Sequence, residues 1–140
     1  MYGNTTKMAQ ILGRNLSCAG IKEVKIYDAS KTDHSFIISE IWKYKGLMIG
    51  SCAHNNAVYP KIEPLIHKLG VYGLKNKYLG IFGTMMWSGG GVRGIKTFAD
   101  SLKGIEVIGE VESKGTPKED IIVKLEEMAK VMAEKLISER

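Results

Sequence analysis

The sequence predicts an α/β fold, a doubly wound parallel sheet with helices on both faces. Three observations predict it. Segments with helical periodicity alternate with short apolar runs. Two of those runs, residues 46–50 and 78–83, are apolar at successive positions, as strands buried on both faces are. The connections are short, as right-handed crossovers between parallel strands allow.

Residues 5–17 place Met8, Ile11, Leu12 and Leu16 at helical spacing, with Asn4 or Thr5 as the N-cap. After Gly20, residues 24–27 (Val24, Lys25, Ile26, Tyr27) read as a short strand and residues 28–30 as a turn. Ile37, Ile38, Ile41 and Trp42 mark a second helix over residues 33–44, with Trp42 in the core. Residues 46–50 form the next strand. The polar stretch 51–59 reads as a loop leading to a third helix that starts at Pro60, a residue preorganised for a first turn. Its core face is Ile62, Leu65, Ile66 and Leu69. A strand over 78–83, a helix over 92–102, a strand over 105–109 continuing towards Val111, and a long amphipathic helix over 117–137 complete the chain. The order is αβαβαβαβα, and only a leading β is absent.

At 140 residues and 44% apolar, the chain fits one domain, residues 1–140. It carries no apolar run of membrane-span length and no secretory leader, so a soluble cytoplasmic protein with no membrane partner is expected. Cys18 and Cys52 are then free thiols. The net charge of +5 admits an acidic partner. The lysines are scattered, however: Lys118, Lys124, Lys130 and Lys135 alternate with Glu119, Glu126, Glu127 and Glu134 as on a solvated helix face, so no nucleic-acid partner is expected. His34, His54 and His67 belong to no clustered His/carboxylate motif, and no metal centre is expected.

In an open α/β sheet, ligands bind beyond the carboxyl ends of the strands. Residues 1–6, 51–56 and 83–91 are placed there. In the first segment Gly3 lets backbone approach an anion, and Asn4, Thr5 and Thr6 supply donors at a helix start; the plainer alternative is that Asn-Thr-Thr only caps the helix. The Gly-Lys-Ser/Thr of nucleoside triphosphatases is missing, so a monophosphate is the better match. The third segment holds Gly89-Gly90-Gly91-Val92-Arg93-Gly94, a literal G-x-G-x-x-G. Five residues, Thr84 to Ser88, separate it from the Gly83 strand end, which argues against a dinucleotide fingerprint. Trp87, in a polar glycine-rich loop, is suited to cover a flat ligand. Together the three segments point to a planar ring system carrying one phosphate.

These residues resemble a known family. Met1-Tyr2-Gly3-Asn4-Thr5, then Gly50-Ser51 with the polar stretch to Pro60 and Glu63, then Gly83-Thr84 with Trp87-Ser88-Gly89-Gly90 are similar to the three FMN loops of flavodoxin-like domains, most of all the flavodoxin domain of flavodiiron proteins. The resemblance runs from residue 1 to about residue 137. It implies FMN as cofactor, with Tyr2, Gly3, Asn4, Thr5 and Thr6 on the phosphate. It further implies Ser51, Cys52, Ala53, His54, Asn55 and Asn56 around the isoalloxazine, and Thr84, Met85, Met86, Trp87, Ser88, Gly89 and Gly90 flanking it, with Trp87 against the ring. Where the family shows Ser-Pro-Thr-Tyr-Asn-Gly, this chain has Ser51-Cys52-Ala53-His54-Asn55-Asn56; Asn56 tolerates the positive φ that glycine serves. Met85-Met86 replace a frequent Tyr-Gly and can fill the same space. Cys52, without a Cys-x-x-Cys partner, reads as a passive small residue. His54 reads as a solvent-facing loop histidine, and Lys7 as solvent-facing.

The implied function is an FMN-binding electron-transfer domain that relays electrons to a redox partner protein or a diiron domain, with a homo-oligomer as a further arrangement and no catalytic residue of its own. The alternatives are a flavin-dependent NAD(P)H:quinone-type reductase and a non-redox domain that has lost FMN. Flavodoxin-like sheets run in strand order 2-1-3-4-5, so the absent leading strand is interior, flanked by the strands at Val24 and Gly46. Its absence from these residues predicts that the sequence is part of a longer one, or that the sheet is repaired by rearrangement or by a neighbouring chain.

Overall fold

A computed structural model describes residues 4–54, 57–85 and 89–139. The elements are α1 (Asn4–Cys18), α2 (His34–Lys43), β1 (Gly46–His54), β2 (Ala57–Val58), α3 (Glu63–Val71), β3 (Lys77–Met85), α4 (Gly91–Asp100), β4 (Ile105–Lys114) and α5 (Glu119–Ser138). The sheet order is β2-β1-β3-β4. β1, β3 and β4 are parallel, with Gly46 opposite Tyr78 and Cys52 opposite Thr84. β2 folds back antiparallel on the end of β1, Ala53 facing Val58.

Both faces of the sheet are covered, which is why its strands are apolar at successive positions. On one face Ile49, Leu79 and Ile81 pack with Ile37 and Ile41 of α2, Leu65, Ile66 and Leu69 of α3, and Val92, Ile95 and Ala99 of α4. On the other, Phe82 and Val111 pack with Met8, Leu12 and Leu16 of α1 and with Leu125, Met128 and Met132 of α5. On this second face neighbouring strands trade size. A Cβ at Gly80 would lie 2.2 Å from Met48 Sδ, and one at Gly50 would lie 2.1 Å from Phe82 Cε2, so each large side chain covers a glycine on the adjacent strand.

Local chemistry fixes the helix ends. Asp33 caps α2: its carboxylate accepts from the Ser35 N–H at 2.8 Å and the Ser35 hydroxyl at 2.5 Å. At the other end Lys77 Nζ donates to the carbonyls of Ile41 (2.9 Å), which also accepts from the Tyr44 N–H, and of Tyr44 (2.5 Å). Burial, with a smaller push from Lys45, holds the Lys77 ammonium below its usual range.

Five sequence expectations are corrected. Residues 24–27 belong to no strand, because a ladder requires a neighbour and none of the described residues lies alongside them as one. Val24 and Ile26 still face α1, while Tyr27 packs on the opposite cluster, so the period of a strand is present without its hydrogen bonds. Residues 51–54 continue β1 instead of opening a loop, and residues 57–58 form β2. The third helix starts at Glu63; Pro64, not Pro60, occupies its first turn. Trp42 is 44% exposed because α2 buries only its Ile37 and Ile41 line. Asn4 and Thr5 are already helical, so neither is the N-cap. Cys18 and Cys52 are free thiols, the first exposed and the second buried.

Candidate cofactor site

The carboxyl ends of the three parallel strands stand at one level: Cys52 is opposite Thr84, and Thr84 opposite Ser113. Two helices begin at this edge. The first turn of α1 reaches it through Thr5, whose Oγ1 is 3.1 Å from Thr84 Oγ1. The first turn of α4 lies against the end of β1, where a Cβ at Gly91 would be 3.2 Å from the Ser51 carbonyl oxygen and 3.3 Å from the Cys52 carbonyl carbon. Gly90, which precedes α4, has φ +144, a backbone conformation that glycine adopts without strain.

Ser51 closes the middle segment at its base. It is 2% exposed, and its Oγ donates to the Cys52 carbonyl at 2.8 Å and accepts from the Tyr59 N–H at 2.9 Å. The chain that leaves the sheet after β1 is therefore tied back to it at Tyr59. Neither α1 nor α4 has an acidic residue in its first turn, and no side chain caps α4. Two helix N-termini thus meet at one edge, an arrangement that favours an anion.

Of the residues expected from sequence, Asn4, Thr5, Thr6, Ser51, Cys52, Ala53, Thr84, Met85, Gly89 and Gly90 come together here, and His54 ends β1. Tyr2, Gly3, Asn55, Asn56, Met86, Trp87 and Ser88 lie outside the described residues. Lys7 is exposed. One neighbour of the site was missed. Glu112, on β4 opposite Gly83, has a buried Oε2 without a hydrogen-bond partner among the described residues, and a Cβ at Gly89 would lie 3.3 Å from its Oε1. Sequence reading stopped the last strand near Val111, one residue short of it; a polar residue at the carboxyl end of a buried strand is the signal that would have found it.

The fold matches rubredoxin oxygen:oxidoreductase from the anaerobe Desulfovibrio gigas with a TM-score of 0.91 and 27% identity, over 99% of this chain and 34% of that one. The chain has a flavodoxin-like fold. A flavodoxin from Streptococcus pneumoniae shares the fold at a TM-score of 0.82 and 18% identity, over 96% of this chain and 93% of that one. Among curated relatives, the anaerobic nitric oxide reductase flavorubredoxin of Escherichia coli is 28% identical over 123 residues, 87% of this chain and 26% of the relative. The flavodoxin-like domain therefore spans about a quarter of the length of the curated relatives it matches. No family model matches the chain.

Solved flavodoxins share this fold, and FMN is the group that the sequence resemblance implies. The residues of the domain fit that group. Helix-end amides and the Thr5 and Thr6 hydroxyls form a donor set for a phosphate with no carboxylate in the first turn of α1 to oppose it. The Glu112 oxygen that has no partner among the described residues offers an acceptor beside Gly89 for a ring N–H. Among the described residues no group of three or more His, Cys, Asp or Glu side chains is placed to hold a metal ion, and no helix is long and apolar enough to cross a membrane.

Proposed function

We propose that residues 1–140 form one FMN-binding electron-transfer domain, which relays electrons in the manner of flavodoxins and of the flavodoxin domain of flavodiiron proteins. One observation carries the reading: the start of α1, the ends of β1 and β3 and the start of α4 converge on one edge of a sheet that superposes on such proteins. Tyr2, Gly3, Asn4, Thr5 and Thr6 hold the phosphate. Ser51 to Asn56 and Thr84 to Gly90 enclose the ring, with Trp87 against it. When bound, FMN supplies the one- and two-electron chemistry. The protein binds, orients and shields it: Thr5 and Thr84 fix the phosphate turn to the sheet, Ser51 holds the middle segment in place, and the Glu112 carboxylate sets the charge near Gly89. A cytoplasmic redox protein or a diiron domain is the partner in this reading.

The experiment is a titration of the purified chain with FMN, followed by gel filtration and anaerobic reduction. The expected result is quenched flavin fluorescence, flavin absorbance that elutes with the protein, and reoxidation by a one-electron acceptor protein. Flavin that elutes apart from the protein at saturating FMN overturns the proposal. Rapid NAD(P)H oxidation by the holoprotein alone replaces it with the reductase reading.

A further inference from the structure

The glycine-rich turn Gly89-Gly90-Gly91-Val92-Arg93-Gly94 stands between the end of β3 and the body of α4, where a phosphate-binding turn would stand. Its glycines already meet neighbours in the protein. A Cβ at Gly89 would lie 3.3 Å from Glu112 Oε1 and 3.4 Å from Glu112 Oε2. One at Gly91 would lie 3.3 Å from the Cys52 carbonyl oxygen, and one at Gly94 2.4 Å from Val58 Cγ2. Gly90, the N-cap of α4, is buried. The missing side chains therefore make room for β1, β2 and β4.

Glu112 belongs to the same arrangement. Its Oε2 is buried, and no described residue donates to it. A carboxylate taken out of water without a donor is costly unless a positive field holds it. Val111 packs on the α1/α5 face, so Glu112, the next residue of β4, turns to the face of α4. There both carboxylate oxygens lie against Gly89, one residue before the N-cap of a ten-residue helix that has no acidic side chain in its first turn and no side-chain cap. The positive end of α4 is the field at hand.

We propose that Glu112 is a specificity-determining residue: its carboxylate is the resident anion of the α4 start and closes the glycine-rich turn to phosphate. The start of α1 is left for an anion from outside. Its first turn carries no acidic residue, and Thr5 and Thr84 meet on the sheet face opposite Glu112. A ligand with one phosphate suits such an edge. A ligand with two phosphate groups, each drawn to helix-end amides, meets a negative charge at the second helix. The inference concerns anions and stands with or without FMN.

The test uses the full chain without flavin, inorganic phosphate and formate as probes, and backbone amide NMR shifts as the readout. In the parent, the amides of residues 89–92 respond to neither anion. Glu112→Ala vacates the position; formate, a free carboxylate, then shifts those amides saturably and raises the melting temperature of the variant. Glu110→Ala removes a charge from an exposed site on the same strand and gains no such response. Glu112→Gln fills the space without the charge, so amide exchange at residues 91–93 quickens about fivefold. A parent whose residues 89–92 follow phosphate overturns the proposal. So does an equal formate response in Glu112→Ala and Glu110→Ala, or exchange at residues 91–93 that is the same in Glu112→Gln and the parent. The parent and Glu112→Gln measurements decide even where Glu112→Ala does not fold.

Discussion

Thr5 Oγ1 and Thr84 Oγ1, 79 positions apart in the chain, are hydrogen-bonded at 3.1 Å, so the first turn of α1 is fastened to the carboxyl end of β3. A part-buried neutral hydrogen bond contributes about 1 kcal/mol. Thr5→Val keeps the shape and removes the bond. We expect FMN affinity to fall about fivefold, with Thr5→Ser restoring most of it; fluorescence titration measures both.

Thr6 is exposed in the first turn of α1. Thr6→Glu places a negative charge at the positive end of the helix, which stabilises the fold by about 0.3–1 kcal/mol. The same charge repels a phosphate. Thermal unfolding without flavin should shift upward while FMN binding weakens; a variant that binds FMN as tightly as the parent places the phosphate elsewhere.

Ser51→Ala removes the acceptor of the Tyr59 N–H and the donor to the Cys52 carbonyl at a buried position. A loss of about 1–3 kcal/mol is expected. Urea unfolding measures it, and hydrogen exchange should locate the loosening at residues 57–59.

Much of the fold could be read from the chain because two of its strands are buried on both faces. The runs 46–50 and 78–83 need no partner information to be recognised, and α5 declares itself by Leu125, Met128 and Met132 against exposed Lys124, Glu126, Glu127 and Lys130. Residues 24–27 have the alternation of a strand, but a strand also requires a neighbour, which composition does not reveal. Residues 51–54 were misread for a related reason: they are polar because they end at the site, yet Ser51 and Cys52 pair with Gly83 and Thr84 as strand residues do. At the site, sequence found the converging segments and missed Glu112, whose role follows only from β4 extending to Lys114.

The hydroxyl and the amide N–H of Ser35 hold the Asp33 carboxyl below its ordinary value of 3.8. In the window between 3.8 and the lowered folded value, the unfolded chain binds more protons than the native one. Stability from this cap is therefore present above that window and lost as pH falls through it. Asp33→Asn keeps a capping side chain without the titration, so its stability should fall less steeply on acidification below 3.8; denaturant unfolding across an acid pH series compares the two slopes.

Gly50→Ala drives a methyl group into the Phe82 ring. Overpacking of this kind costs about 1–3 kcal/mol. Combining it with Phe82→Leu should cost less than the two single changes summed, because each relieves the other. A double-mutant cycle on thermal or urea unfolding checks the coupling.

A cavity beside β1 ends at Thr5, Thr6, Ser51 and Cys52, the same residues that frame the anion site. Anything that settles those residues from the cavity side therefore alters flavin affinity, and thermodynamic reciprocity requires flavin to alter affinity on the cavity side by the same factor. Cofactor colour then becomes a gauge of how well Thr5, Thr6, Ser51 and Cys52 are held in place, and not of flavin concentration alone.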